Sequence, residues 1–291
     1  MSSPAGDLGA TIEVAAALVA AQFPDGAGLA LAPFAHGWDN ETFALGADLL
    51  VRLPRREVAV RLIRNEQRWL PALARLVPVA VPEPLHCGVP SADFPHPWSI
   101  VPRLPGIELA ALPLDQRGAA ADDLADVLLA LHRPAPRAAP SNEFRGVPLA
   151  HRRSAMADRL ASLPDLDPRI GERWRAWSVA APYSGPPVWL HGDPHPRNLL
   201  VDAAGRLSAV LDWGDVTAGD PAGDLATAWL AFAARDRERF VRRYERGTRC
   251  DESTWARARA WALALATAFL DAGDPLLAPI ARHALTELLA D

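Results

Sequence analysis

Residues 188–215, VWLHGDPHPRNLLVDAAGRLSAVLDWGD, form the most informative segment of the 291-residue chain. Two short apolar runs, Leu199–Val201 and Leu207–Leu211, flank the turn-forming residues Asp202–Gly205. This pattern predicts a β-hairpin. A hairpin returns the chain to the place it left, so residues just before the first strand and just after the second are expected to be neighbours.

Three polar side chains are positioned by this hairpin. Asn198 precedes the outgoing strand, Asp212 follows the returning strand, and Asp193 lies on the loop before them. We therefore expect two carboxylates and an amide to converge at one cleft. Oxygen ligands of this kind suit Mg²⁺, which takes one or two carboxylates together with water and substrate phosphates. A further carboxylate outside the metal's immediate shell can accept a proton from a hydroxyl, which completes the groups that phosphoryl transfer needs.

Composition restricts the classes of function. Half of the residues are hydrophobic, 22% are charged, and the formal net charge is -5. These values are typical of a globular protein without a positive field for nucleic acid or anionic membranes, so we expect neither partner. All 30 residues counted as Lys+Arg are arginine. A Walker A phosphate loop and Schiff-base chemistry, which both require lysine, are therefore excluded.

Cysteine usage and hydropathy give two further expectations. Cys87 and Cys250 are too few for a disulfide framework or a thiolate metal site, and both are predicted to be buried. The longest apolar stretch, 261–270, is too short to cross a bilayer, and residues 1–7 lack the positive start of a signal peptide. The expected location is cytoplasmic.

The order of predicted elements divides the chain into two parts. Periodicity predicts a helix over 12–23, strands over 29–32, 41–45 and 49–53, a helix over 57–76 that Pro71 kinks or restarts, and short strands over 85–89 and 98–101. After a linker at Leu104–Gly106 the chain is predicted to be mostly helical, with one helix over 224–234. The predicted fold class is α+β, with a small strand-rich lobe at 1–103 and a larger helical lobe at 104–291.

Three motifs resemble one enzyme family. HGDPHPRN at 191–198, LDWGD at 211–215 and GDPAGDLA at 219–226 are similar to the aminoglycoside phosphotransferase and choline kinase superfamily, which has a protein-kinase-like fold. In that family His-Gly-Asp followed four residues later by Asn is the catalytic loop, and a hydrophobic-Asp-Trp segment supplies the principal metal ligand. The resemblance implies that Asp193 is the catalytic base and that Asn198 and Asp212 bind magnesium.

The resemblance also implies a cation on the third strand that holds the α and β phosphates and pairs with a helix glutamate. Leu49–Leu53 is the matching strand, and the partner is Glu66. The family's usual lysine is replaced by Arg52, which keeps the charge and can bind two phosphate oxygens at once. The run RLPRR at 52–56 is similar to the corresponding stretch of macrolide phosphotransferases.

Other positions complete the expected site. The nucleotide base is expected against the backbone between Val101 and Leu104, and the loop over residues 34–41 is expected to cover the phosphates. His191 is expected to form structural hydrogen bonds to nearby backbone. Asp220 and Asp224 are expected to be buried residues that tie the loop to the next helix.

Three hypotheses of function follow. The first is a Mg²⁺-dependent kinase that transfers the γ-phosphoryl group of ATP or GTP to a hydroxyl of an aminoglycoside-like or other antibiotic. The second is a metabolic kinase for a sugar, amino alcohol or amino acid, and the third is a nucleotide-binding pseudokinase, which Arg52 favours. A polycationic aminoglycoside requires a carboxylate-rich pocket, for which Asp271, Asp274 and Asp291 are candidates. A macrolide would instead use Trp and Leu side chains of the last helices.

Overall fold

A computed structural model describes residues 6–291, and they form strands and helices in two lobes. The strands are β1 (Leu31–His36), β2 (Asn40–Leu45), β3 (Leu49–Pro54), β4 (His86–Gly88), β5 (Trp98–Pro102), β6 (Ile107–Glu108), β7 (Val188–Leu190), β8 (Leu199–Val201), β9 (Leu207–Val210) and β10 (Thr217–Gly219). The helices are α1 (Ile12–Gln22), α2 (Glu57–Leu73), α3 (Ala119–Leu131), α4 (Arg153–Ser162), α5 (Arg169–Trp177), α6 (Ala222–Leu225), α7 (Thr227–Ala231), α8 (Ala234–Gly247), α9 (Glu252–Asp271) and α10 (Ala278–Ala290).

The smaller lobe is built on a five-stranded antiparallel sheet with the order β1-β2-β3-β5-β4. Side chains alternate between the two faces of a strand. On β3, Val51 and Leu53 are therefore buried in the core between the sheet and α1, while Arg52 lies between them on the other face. Because Arg52 is opposite Thr42 on β2 and Ser99 on β5, its backbone is fixed from both sides.

Helix α2 connects the two lobes. Its buried residues include Glu66 in the middle and Leu70 and Leu73 near its end, and the last two belong to the core of the larger lobe. The helix is continuous through Pro71, so the predicted restart is wrong. Proline has no N–H to donate to the carbonyl of Gln67, so the helix continues there with one hydrogen bond fewer.

The larger lobe combines short strand pairs with helices. The predicted hairpin is confirmed: Leu199 pairs with Val210, and the turn between β8 and β9 contains Gly205 with a φ of 74°. β6 pairs with β8, and β10 pairs with β7. Helix α9 is buried along most of its length and contacts α4, α5, α6, α7 and α10, so it forms the centre of this lobe.

Several local predictions are wrong. β1 covers Leu31–His36 instead of the predicted 29–32, so the strand begins later and continues through Phe34–His36. The predicted helix over 224–234 is instead α6 and α7, after which Phe232 has an extended backbone and is buried in the core. Cys87 is exposed because it lies on β4, which is an edge strand, and Cys250 is only partly buried.

The predicted α+β class and the two-lobed architecture are confirmed, with a sheet in the first lobe and mainly helices in the second. Within residues 6–291, no helix has both the length and the apolar character that crossing a bilayer requires.

Candidate active site

The loop that follows β7 is fixed by the buried carboxylate of Asp224 on α6. His191 N donates to Asp224 Oδ2 at 2.8 Å, and Gly192 N donates to Oδ1 at 2.9 Å. His132 Nε2 lies 3.3 Å from Oδ2. Because a buried carboxylate is stable only when its oxygens are paired, these contacts hold the loop in one position. The predicted structural role of Asp224 is confirmed, and Asp220 is also a buried cap, with Ala222 N donating to it at 3.0 Å.

Gly192 is required by this geometry. Its φ is +92°, a conformation that side chains with a Cβ rarely adopt. A Cβ at this position would lie 2.5 Å from the carbonyl oxygen of Asp215. Next to it, His191 Nδ1 accepts from Asp193 N at 3.2 Å, and its Nε2 donates to Leu211 O at 2.8 Å. The predicted structural role of His191 is confirmed.

The carboxylate of Asp193 lies between an arginine and a histidine. Its Oδ1 accepts from Arg145 NH2 at 2.9 Å, and its Oδ2 lies 3.5 Å from His195 Nε2. Burial alone would raise the pKa of Asp193, but Arg145 and the nearby histidines outweigh it and hold the pKa below its usual value. The carboxylate is therefore ionised at neutral pH and can accept a proton or a hydrogen bond.

The ends of the hairpin meet as predicted. Leu211 N donates to Asn198 O at 2.8 Å, and Asn198 Nδ2 donates to Asp193 O at 2.9 Å. Asp212 follows with a φ of 57°, which is uncommon for a residue with a side chain. Strained backbone of this kind often occurs at functional sites, where the surrounding structure enforces it.

The side-chain oxygens at the hairpin ends, those of Asn198 and Asp212, are suitable ligands for a magnesium ion. Asn198 Nδ2 donates to the carbonyl oxygen of Asp193, and among the described residues no group donates to Asn198 Oδ1. The carboxylate of Asp212 is more than half exposed to the cleft. Mg²⁺ prefers such oxygens and completes its coordination with water and phosphate. Within residues 6–291 there is no cluster of three or more His, Cys, Asp or Glu side chains arranged to hold a metal.

Arg52 and Glu66 form a buried ion pair, as the sequence predicts. Arg52 NH1 donates to Glu66 Oε2 at 2.7 Å, and Arg52 NH2 lies 3.8 Å from Asp212 Oδ1. The other oxygen of Glu66 accepts from Trp213 N at 3.1 Å. Burial would lower the pKa of Arg52, but Glu66 and Asp212 outweigh that effect and raise it. The guanidinium is therefore always charged.

The loop between β1 and β2 brings one carboxylate that the sequence did not single out. Asp39 pairs with Arg56, and Arg55 NH1 donates to Gly37 O at 2.9 Å. Burial raises the pKa of Asp39, although Arg56 opposes it, and the charges of Asp212 and Asp193 raise it further. The contacts with Arg55 and Arg56 therefore tie this loop to the residues that follow β3.

The two positions predicted to bind the nucleotide base lie at the end of β5. Val101 is buried and pairs with Leu50 on β3, and Leu104 is partly exposed two residues beyond the strand. Their contact with a nucleotide stays a prediction.

Sequence reasoning also missed Arg145 and its neighbour Asn142. Asn142 Nδ2 donates to Asp215 Oδ1 at 2.6 Å, and its Oδ1 accepts from Arg145 N at 3.2 Å. Burial raises the pKa of Asp215, and Arg145 opposes that shift. No local motif marks this segment, because Arg145 reaches Asp193 from a connection 48 residues earlier.

A cavity of about 210 Å³ lies beside this cluster and is lined by Arg145, Asp215 and Trp261 among others. A larger cavity of about 500 Å³ lies between α8 and α9, and of the candidate acceptor carboxylates Asp291 lines it. Its arginines are paired with acids, as Arg237 and Arg259 are with Asp291.

Comparison with known proteins agrees with this geometry. The model of the phosphotransferase enzyme family matches residues 30–261, which is most of the chain. The chain belongs to this family. The predicted resemblance is therefore confirmed, and so is the expectation, at the level of family, of a phosphotransferase.

Two curated relatives match this chain over about half of its length. An aminoglycoside 3'-phosphotransferase of Streptomyces fradiae is 30% identical over 172 residues, covering 53% of this chain and 63% of the relative. An uncharacterized protein, YcbJ of Bacillus subtilis (strain 168), is 28% identical over 181 residues, covering 53% of this chain and 58% of the relative. The matches thus span about three fifths of these curated relatives.

Solved structures share the fold of this chain over nearly its whole length. The GDP complex of wild-type aminoglycoside 2'-phosphotransferase-IIIa has a TM-score of 0.71 at 18% identity and covers 96% of this chain and 99% of its own. The apoenzyme of macrolide 2'-phosphotransferase MphH from Brachybacterium faecium has a TM-score of 0.62 at 24% identity, covering 94% and 97%. The predicted kinase-like fold is confirmed.

The Gly192→Ala variant is expected to lower the free energy of unfolding by about 1–3 kcal/mol, because the left-handed backbone and the contact with Asp215 O both oppose a Cβ. Urea unfolding of the two proteins measures this loss. Gly223→Ala is the control, since no atom lies within 4 Å of a Cβ on Gly223. Equal losses in the two variants would contradict the strain at Gly192.

Proposed function

We propose that this chain is a Mg²⁺-dependent kinase that transfers the γ-phosphoryl group of ATP or GTP to a hydroxyl of a small molecule. The observation that supports it best is the convergence of three features in one cleft. These are the ionised Asp193, the side-chain oxygens of Asn198 and Asp212, and the charged Arg52. Phosphoryl transfer needs such positioning and charge neutralisation more than it needs covalent chemistry from the protein.

Asp193 is proposed as the proton acceptor. The acceptor's hydroxyl oxygen forms a bond to the γ-phosphorus, and the bond from that phosphorus to the bridging oxygen breaks. The bridging oxygen leaves with the electron pair on the nucleoside diphosphate, and the hydroxyl proton passes to the Asp193 carboxylate. Arg145 supports this role because it fixes the orientation of that carboxylate through a 2.9 Å hydrogen bond.

The nucleotide is proposed to bind between Arg52 and Asp212, with its base against the backbone of Val101 and Leu104. Support for a nucleotide donor comes from the similar structures that were solved with GDP. Asn198 and Asp212 would hold magnesium, which when bound neutralises negative charge on phosphate oxygens. Under this proposal residues 1–103 hold the nucleotide and residues 104–291 hold the acceptor.

Two classes of acceptor each have support. The match to the Streptomyces fradiae aminoglycoside 3'-phosphotransferase favours an antibiotic. The cavity beside Asp193 favours a small metabolite, because its volume of about 210 Å³ is below the roughly 300–1,000 Å³ of pockets that enclose a drug-sized ligand. Nucleotide consumption measured over a panel of hydroxyl compounds distinguishes the two classes.

The Asp193→Asn variant is expected to retain its fold and its nucleotide affinity while kcat falls about 100-fold or more, because proton acceptance contributes only during transfer. Steady-state kinetics and nucleotide titration measure the two effects. Asp165→Asn, on an exposed residue, is the control and should match the wild type. A comparable loss of nucleotide affinity would instead assign Asp193 to the metal.

The Asp212→Ala variant is expected to lower the affinity for nucleotide by at least about tenfold when Mg²⁺ is present, because the cation loses its anionic ligand. In EDTA the affinities of variant and wild type should be similar. Calorimetry under both conditions measures the difference, with Asp115→Ala, another exposed aspartate, as the control. Unchanged Mg-nucleotide affinity would show that Asp212 does not bind the metal.

The Arg52→Ala variant is expected to lower kcat/KM by at least about tenfold, because a charge-assisted contact to phosphate is lost in a closed cleft. Glu66→Ala should act through the same contact, so the double variant should lose clearly less than the sum of the single losses. Arg52→Lys should restore part of the activity, since the charge returns without the planar head.

An exposed ion pair is the control for this cycle. Glu238 and Arg242 lie 3.1 Å apart on α8, and more than half of each side chain is exposed, so their coupling is expected to be small. Additive losses for Arg52 and Glu66, or an Arg52→Ala enzyme as fast as the wild type, would separate Arg52 from the phosphates. A wild-type protein that binds nucleotide but transfers no phosphoryl group would instead favour the nucleotide-binding pseudokinase.

A further inference from the structure

The cavity beside Asp193 has an unusual set of charges. Three arginines line it, Arg145, Arg152 and Arg159, against the single carboxylate of Asp215. Phe144, Trp261 and small apolar residues of α9 form the rest of its wall. The cavity therefore combines an apolar surface with an excess of positive charge.

Two of these arginines have no carboxylate partner. Arg145 is paired with Asp193, but within residues 6–291 no acid lies within 4 Å of Arg152 or Arg159. Arg152 NH1 donates to Phe144 O at 3.4 Å, and Arg159 NH1 donates to Ala264 O at 3.2 Å. Clustered cations without counter-charges repel one another, and a bound anion would relieve that repulsion.

The electrostatics of the arginines agree with this geometry. Burial lowers the pKa of Arg152, and the charges of Arg159 and Arg145 lower it further. Burial also lowers the pKa of Arg159, where Asp271 opposes the shift from a longer distance and Arg145 adds to it. Each guanidinium is therefore less stable in its charged form than it would be in water.

Unsatisfied donors lie on the same wall. Among the described residues, the buried atoms Arg145 Nε and Trp261 Nε1 have no hydrogen-bond partner. Both are donors, as every guanidinium and indole nitrogen is. A ligand rich in acceptor oxygens would satisfy such a wall, whereas an ammonium group would not.

The carboxylates considered for a cationic acceptor do not line this cavity. Asp271 accepts from Ser162 Oγ at 3.1 Å, and Asp274 accepts from Leu276 N at 2.7 Å. Asp291 is paired with arginines at the other, larger cavity. A polycation beside Asp193 would therefore meet arginines instead of acids.

We propose that the acceptor is a small hydroxy compound with an anionic group, a carboxylate or a phosphate, which Arg152 and Arg159 bind while its hydroxyl faces Asp193. This inference rests on the proposed kinase function and names its class of substrate. The apolar wall of Trp261 and Phe144 would contact the carbon skeleton, and Arg145 would lie between the anionic group and the base.

A matched three-carbon series tests the proposal. The probes are glycerol, glycerate, glycerol 3-phosphate and 3-amino-1,2-propanediol, which differ at one end and keep at least one hydroxyl. Calorimetry measures their binding to the wild-type protein with MgADP present, so that the nucleotide site is not available to phosphate. Glycerate, glycerol 3-phosphate or both are expected to bind at least about tenfold more tightly than glycerol and the amine. Which of the two anions binds distinguishes a carboxylate from a phosphate.

Variants test whether the two arginines are responsible. Arg152→Gln and Arg159→Gln are each expected to reduce the affinity for the anionic probe at least about tenfold and to leave glycerol binding unchanged. The lysine variants at the same positions should retain part of the preference for anions. Arg153→Gln is the control, because Arg153 is exposed at the start of α4, next to Arg152, and does not line the cavity.

The outcomes separate this inference from the kinase function. Equal binding of all four probes, tighter binding of the amine, or an equal effect of Arg153→Gln would overturn the anion site. Nucleotide consumption with neutral or cationic acceptors, unaffected by Arg152→Gln, would overturn it while the kinase function stands. Anion binding that depends on Arg152 and Arg159, without MgADP binding or transfer to any acceptor, would retain the site and reject the kinase. The order of affinities in the wild type decides the question even if a variant does not fold.

Discussion

The geometry of the cleft depends on the two hydrogen bonds that the carboxylate of Glu66 accepts. This carboxylate is buried, and its two oxygens accept from groups in different parts of the chain, Arg52 on β3 and the backbone of Trp213. A buried carboxylate that loses a partner costs about 3–5 kcal/mol, so both contacts must form together. The position of Arg52 in the smaller lobe and that of Asp212 beside Trp213 are therefore set by one side chain.

A second buried acid performs the same task in the larger lobe. Asp224 accepts from two successive backbone N–H groups, those of His191 and Gly192, and so fixes the position of the backbone that leads into Asp193. Gly192 permits the left-handed turn that this requires, and Asp212 has a left-handed backbone on the other side of the cleft. The strained residues lie where buried hydrogen bonds hold them, which is how a fold maintains an unfavourable backbone at a functional site.

The sequence predicts the parts of this site that depend on short separations. The hairpin places Asn198 beside Leu211, and the alternation along β3 separates Arg52 from the core side chains on either side of it. These relations follow from strand geometry, so they need no knowledge of the whole fold.

Contacts between distant segments are harder to predict. Arg145 is one of 30 arginines, and only the packing of the connection before α4 brings it to Asp193. The charge of the cavity has the same origin, because the packing of α4 against α9 brings together Arg152, which immediately precedes α4, and Arg159, which lies on it. Asp271 and Asp274 were candidates for a carboxylate-rich acceptor pocket, and in the structure Asp271 accepts from Ser162 on α4 and Asp274 from the nearby backbone of Leu276.

The run RLPRR shows how the protein uses arginine at the position where the family resemblance implies lysine. The guanidinium of Arg52 extends one nitrogen to Glu66 at 2.7 Å and the other toward Asp212 at 3.8 Å, two directions that a single ammonium cannot supply with fixed geometry. Arg55 binds the carbonyl of Gly37, and Arg56 pairs with Asp39. The end of β3 and the two arginines after it thus contact both Glu66 on α2 and the loop between β1 and β2. A substitution at Arg52 therefore changes only one of these connections, while Arg55 and Arg56 keep the loop in place.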